Sequence, residues 1–277
     1  MSKAATIVLA LMLVASPAWA QVSKEARDGC FSPSISDDAR IGFCTQLIDS
    51  GLLSKEALPT VYAARGTSYG DKGLYDKATA DFNKAIELKP DYVQAYISRG
   101  TMVYLGQGFL DKAIADFNKA IELRPDFARA YFSRGAAYLG KGLYDEAIVD
   151  DSKAIELQPD FANAYFGRAA ANTRKGLYDE AIADDSKAIE LQPTSVRAYI
   201  GRASIYYLKN ENAKGLPDAE KATELAPENE HALLIKAKIE EKLGQRDKAI
   251  IDYRAAIKIN PQVKGPLDDL KRLGATP

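Results

Sequence analysis

The stretch Ala128–Pro159, ARAYFSRGAAYLGKGLYDEAIVDDSKAIELQP, returns from Ala162 as ANAYFGRAAANTRKGLYDEAIADDSKAIELQP, ending at Pro193. The unit therefore recurs after 34 residues, a period that belongs to stacked supersecondary units and not to one globular core. Tyr131, Gly135 and Tyr138 are spaced i, i+4, i+7, one stripe of a helix. After the break at Lys141-Gly142, the residues Ala147, Asp151, Ala154 and Ile155 draw the same stripe on a second helix. Asp145 is placed to cap that helix and Pro159 to end it. Each unit is a helical hairpin with an apolar face that it cannot bury alone.

Working outward, Pro90, Pro125, Pro159, Pro193, Pro227 and Pro261 close successive units at gaps of 34, except for 35 between the first two. Six repeats follow: 59–92, 93–127, 128–161, 162–195, 196–229 and 230–263. The extra residue of the second lies between Gly100 and Leu105, so its first helix should end irregularly. The aromatic of helix one recurs as Tyr62, Tyr96, Tyr131, Tyr165 and Tyr199, with Leu233 in the sixth. The small residue recurs as Gly66, Gly100, Gly135, Ala169, Ala203 and Ala237. On helix two the pairs Ala78/Ala85, Ala113/Ala120, Ala147/Ala154, Ala181/Ala188 and Ala249/Ala256 repeat, with Gly215/Ala222 in the fifth. With these residues the chain resembles the tetratricopeptide repeat (TPR) family. The resemblance implies an all-α fold, a right-handed α-solenoid of six helical hairpins with a capping helix at each end. It implies no partner, since one fold hosts many functions.

Residues 1–20 read as a signal peptide: Lys3, an apolar run over 4–15, then Ala18-Trp19-Ala20 as a cleavage pattern. The run is too short for a membrane span, which takes about 20 residues. The mature chain is expected to begin at Gln21 and work outside the cytoplasm, in the periplasm if the source is a Gram-negative bacterium. The sequence holds 37 basic and 38 acidic residues; without Lys3 these are 36 and 38, a net of −2. So balanced a charge implies neither nucleic acid nor an anionic membrane as partner. The two cysteines, Cys30 and Cys44, lie in segment 21–58, and export favours a disulfide over two separate thiols. Asp37–Ser50 looks like the second helix of an incomplete repeat. Aligning Leu47-Ile48 with Ala85-Ile86 sets Cys44 where Phe82 stands. Segment 21–58 should thus cap the first repeat, and 264–277 the last, through Leu267, Leu270 and Leu273.

Repeat position seven, apolar in the family, is Arg65, Arg99, Arg134, Arg168, Arg202 and then Lys236. Position twenty-three is Asp81, Asp116, Asp150, Asp184, Asp218 and Asp252. A matched base and acid in every unit point to a structural ion-pair ladder more than to a row of arginines gripping an acidic ligand. The fifth repeat carries Gly215 and Pro217, and its second helix, Ala213–Ala226, is expected to start late. Asp151 and Asp185 stand where the first two repeats have Phe82 and Phe117, and Asn172 replaces a Tyr. A fully satisfied buried hydrogen-bond cluster is the expected reading of these three, ahead of partial exposure to solvent and then of a metal or small-ligand site from Asp150/Asp151 and Asp184/Asp185.

No catalytic set emerges. A single histidine, His231, excludes histidine triads and multi-histidine metal sites, and Gly106-Gln107-Gly108 has no strand before it. No cofactor is expected. By the family resemblance, repeat positions two, five, nine and twelve line a concave groove. Position five reads Ala63, Ile97, Phe132, Phe166, Ile200 and Leu234, flanked by Tyr104, Arg129, Leu139, Asn163, Thr173, Arg174, Arg197 and Tyr207. An apolar stripe with Arg and Tyr anchors suits a peptide or amphipathic helix. The sequence reading is a non-enzymatic exported scaffold for another protein. Its alternatives are a periplasmic carrier or sensor of a small apolar ligand or glycan, and a self-associating structural protein. The clamp with which some family members hold a C-terminal carboxylate is absent, because the sixth positions are Ala64, Ser98, Ser133, Gly167, Gly201 and Ile235.

Overall fold

The computed structural model describes residues 24–262 and 265–276. The proposed signal peptide and the position of Gln21 lie outside the described residues, as does Val263. Every regular element described is helical. The chain divides into two units between Lys141 and Gly142.

The first unit opens with α1 (Lys24–Phe31) and α2 (Asp37–Asp49). The Ser36 hydroxyl accepts from the Ala39 amide and caps α2. The Cys30–Cys44 disulfide is formed, and it sits with Ala26, Leu47 and Val61 in one buried cluster. It fastens α1 onto α2 and the start of α3 (Leu58–Asp71), where Pro59 occupies the first turn. Then come α4 (Tyr75–Leu88), α5 (Val93–Ser98), a π-helical segment (Arg99–Leu105), α6 (Leu110–Leu123) and α7 (Ala128–Gly140). The π segment is the irregular end expected from the extra residue. A wider turn absorbs one inserted residue without breaking the helix.

The second unit runs α8 (Tyr144–Leu157), α9 (Ala162–Lys175), α10 (Tyr178–Leu191), α11 (Val196–Leu208), α12 (Asn212–Leu225), α13 (Glu230–Lys242), α14 (Arg246–Ile259) and α15 (Gly265–Arg272). Helices α9/α10, α11/α12 and α13/α14 are hairpins of one repeat each, called A and B in chain order. The last helix buries Leu270 against Ala249, Ile250 and Tyr253, with Leu273 beside them, as the expected cap.

Two local expectations fail. Asp145 does not cap α8: the helix starts at Tyr144, the cap position is Leu143, and no side chain caps it. Asp145 lies in the first turn, where a carboxylate suits the helix dipole, and it binds Lys175 at the end of the next A helix. Asp179 and Lys209 repeat that pairing one hairpin on. Nor does α12 start late. It begins at Asn212, in register with α10, and Gly215 within it is closely packed. A Cβ there would stand 3.0 Å from Tyr206 Cβ, 3.1 Å from Ile239 Cδ1 and 3.2 Å from the Ala203 carbonyl.

Candidate functional site

The ion-pair ladder takes shape inside each unit. Arg65 grips Asp81 through two N–H donors at 2.8 Å each, and Arg99 grips Asp116 at 2.9 and 2.5 Å. In the second unit Arg168 holds Asp184 at 2.9 and 2.6 Å, and Arg202 holds Asp218 at 2.7 Å twice. Lys236 takes the arginine's place with Asp252 at 2.9 Å. Arg134 and Asp150 belong to different units. Each arginine also reaches back to an earlier helix: Thr45 of α2 from Arg65, Asn83 of α4 from Arg99, Asn118 of α6 from Arg134, Ser152 of α8 from Arg168 and Ser186 of α10 from Arg202. Tyrosine rings complete the setting. Arg65 stacks on Tyr62 and Tyr69, Arg99 on Tyr96 and Tyr104, and Arg134 on Tyr131 and Tyr138, all at 5.6 to 5.8 Å. Hydrogen bonds to the carboxylates raise Arg65, Arg168 and Arg202 further above the ordinary arginine range. These guanidinium groups join hairpin to hairpin and are spent on structure.

The ladder corrects two groove residues. Tyr104 packs on the Arg99 guanidinium as Tyr69 and Tyr138 pack on theirs. The inserted residue shifts its repeat number by one, and the π segment brings the ring back to the ladder. Ile97 is 1% exposed, in one cluster with Val93, Phe117 and Ala130, and offers no docking surface.

Asn172 is buried and donates to Asp184 at 3.3 Å, filling the side of Arg168 where a Tyr stands elsewhere. Asp151 and Asp185 are 2% and 1% exposed, and each keeps an Oδ1 without a hydrogen bond. The expectation of a fully satisfied cluster is therefore wrong for these two. Each carboxylate lies against a glycine of the next A helix: a Cβ on Gly167 would be 2.7 Å from Asp151 Oδ2, and one on Gly201 2.6 Å from Asp185 Oδ2. Burial pushes Asp151 up to about 8, helped by repulsion from Asp150 and Asp184 and opposed by Arg168. Burial likewise raises Asp185 to about 8, against the attraction of Arg202. Among the described residues no group of three His, Cys, Asp or Glu side chains is arranged to hold a metal ion.

The remaining expected residues lie on the exposed sides of A helices. In the first unit α7 carries exposed Arg129 and half-buried Phe132 and Leu139. In the second, α9, α11 and α13 lie side by side. Phe166 on α9 is half-buried, and the exposed Arg197 of α11 stacks on its ring at 4.5 Å. Ile200 and Tyr207 are half-buried over Ala203, Ile235 and Ile239. Asn163 and Arg174 are exposed on α9. Sequence reasoning missed Leu208, 50% exposed beside Tyr207, and Lys238, exposed on α13. Their repeat positions, thirteen and nine, could have marked them. The structure thus joins Phe166, Arg197, Ile200 and Tyr207 across two adjacent A helices, a mixed apolar and basic face.

Comparison with known proteins agrees with this architecture. Tetratricopeptide repeat models match residues 59–92, 128–161, 196–229 and 230–263, and a second such model matches 152–196. A TPR repeat model matches 102–142. The chain belongs to the tetratricopeptide repeat family. Among solved structures, a tetratricopeptide repeat protein from Parabacteroides merdae is 19% identical with a TM-score of 0.71, over 93% of this chain and 99% of that one. PilW, a widely conserved type IV pilus biogenesis factor, is 20% identical with a TM-score of 0.69, over 77% of this chain and 98% of its own. YrrB, a TPR protein with an unusual peptide-binding site, is 23% identical with a TM-score of 0.53, over 69% of this chain and 97% of its own. No curated protein matches the sequence. These likenesses concern the fold, which in this family is typically a scaffold for protein–protein interaction. No described helix is long and apolar enough to cross a membrane.

Proposed function

We propose that the protein is a non-enzymatic exported scaffold that docks a peptide or amphipathic helix of another protein on the A-helix face of its second unit. The observation that carries this reading is the Phe166–Arg197–Ile200–Tyr207 surface: apolar side chains left half-exposed, with an arginine laid on an aromatic ring and given to no carboxylate. Aromatic and Arg anchors of this kind dominate peptide-binding energy. The peptide-binding site of YrrB, a structural neighbour, supports the mode of action by analogy. Export rests on the pattern of residues 1–20, and the Cys30–Cys44 disulfide suits an oxidising compartment.

The double variant Phe166→Asp, Ile200→Asp tests the face. Binding to peptides selected on the native protein should fall below detection while the far-UV circular dichroism stays helical; retained binding contradicts the proposal. Export is tested by fusing residues 1–20 to alkaline phosphatase, which is active only outside the cytoplasm. An inactive fusion would overturn it.

A further inference from the structure

We infer that the partner segment is acidic: a peptide carrying carboxylates beside one or two apolar side chains, read by the basic A-helix face of repeats four to six. This inference rests on that face being the docking surface, and it adds the charge of the occupant.

The charges of the second unit are segregated by helix. Neither α9 nor α11 contains a single Asp or Glu. The three glutamates of α13 are withdrawn from the surface chemistry. Glu230 accepts from Asn260, Glu240 is 1% exposed, and Glu241 is bound by Tyr253 and Arg272. Glu156 of α8 and Glu190 of α10 are exposed and are paired on their own helices with Lys153 and Lys187. On the A face, by contrast, Arg174, Arg197 and Lys238 are exposed and make no ion pair among the described residues.

Their register puts these cations on one side of their A helices, at different heights. At about 100° per residue, repeat positions two, nine and thirteen fall within an arc of about 40° on the A-helix wheel, just to one side of position five. Position five is Phe166, Ile200 and Leu234. Each cation therefore flanks the apolar row, and the alternation suits an acidic peptide with an apolar anchor better than a bare polyanion. Arg197 is the most defined of the three. Its guanidinium lies over the Phe166 ring at 4.5 Å and is in no ion pair among the described residues, a setting that favours bidentate capture of a carboxylate. The ladder arginines Arg168 and Arg202 cannot do this, because their donors are already occupied by Asp184 and Asp218.

A random 12-residue phage-displayed peptide library, panned on the full chain, tests the inference. The expected result is enrichment of net-acidic peptides with an aliphatic or aromatic residue. Synthetic copies should bind with an affinity that weakens with salt and falls about tenfold or more in Arg197→Glu, Lys238→Glu. Enriched peptides that are neutral or basic, and that are lost on Phe166→Asp, Ile200→Asp, overturn the acidic inference and leave the docking face standing. No enrichment, or peptides that still bind the double aspartate variant, overturns the docking face itself. Heparin binding as tightly as the selected peptides, and insensitive to Phe166→Asp, would assign the cations to a polyanion and also overturn the inference. Circular dichroism of each variant confirms that its helices are intact.

Discussion

Asp151 and Asp185 hold carboxyl groups where the first two repeats hold phenyl rings, and the next helix closes over them with glycine. The unfolded chain ionises these groups near the ordinary 3.8, while the folded chain keeps their protons up to about 8. The native state thus binds more protons between those values, so this contribution to stability falls as pH rises from about 4 to 8 and is flat beyond both ends. The groups facing them are Asp150, Arg168 and Asp184 for Asp151, and Arg202, Asp184 and Asp218 for Asp185. Replacing both by Asn should flatten that slope and raise stability at pH 8 by on the order of 2 kcal/mol, read from urea melts at several pH values. An unchanged slope would show that the carboxyls are solvated. Gly201→Ala should cost roughly 1–3 kcal/mol by overpacking, because its Cβ would meet Asp185 Oδ2 at 2.6 Å; Asp185→Ala in the same chain should recover most of it. The odd aspartates were visible in the repeat alignment. Their glycine partners were not, because a contact between repeats leaves no mark in the periodicity of either one.

At the scale of single helices, the Cys30–Cys44 bridge and the π segment are two adjustments to a regular array. The disulfide closes a loop of about 15 residues, for which the chain-entropy model gives roughly 3 kcal/mol. Reduction should speed amide exchange in α1 and α2 and leave α9–α14 unchanged; equal acceleration everywhere would mean the bridge does not act locally. The extra residue of repeat two was countable, so the irregular helix end could be read in advance. What could not be read was how the irregularity settles: the π turn keeps the Tyr104 ring on the Arg99 guanidinium. Helix starts misled for a related reason. Asp145 has good capping chemistry, but the helix begins one residue earlier, and the acid is used by Lys175 of the neighbouring hairpin.

For the molecule as a whole, the 34-residue period and the paired Arg and Asp positions made the fold class and the ladder legible. The proposed docking face was legible in part. Position five holds the half-buried Phe166 and Ile200, whereas at Ile97 the neighbouring helices close over the side chain. The segregation of charge emerged only when burial and pairing removed Glu230, Glu240 and Glu241 from the count. A repeat protein can spend one set of arginines on holding hairpins together and keep another for recognition. In the proposed reading the two sets here differ in whether a carboxylate already occupies them. The central claim is that the A helices of the second unit receive the partner. It is tested most directly by amide chemical shifts of the isotope-labelled protein titrated with a panned peptide. Perturbations gathered on α9, α11 and α13, centred on Phe166, Arg197 and Ile200, are predicted; perturbations gathered on α10, α12 and α14 would contradict it.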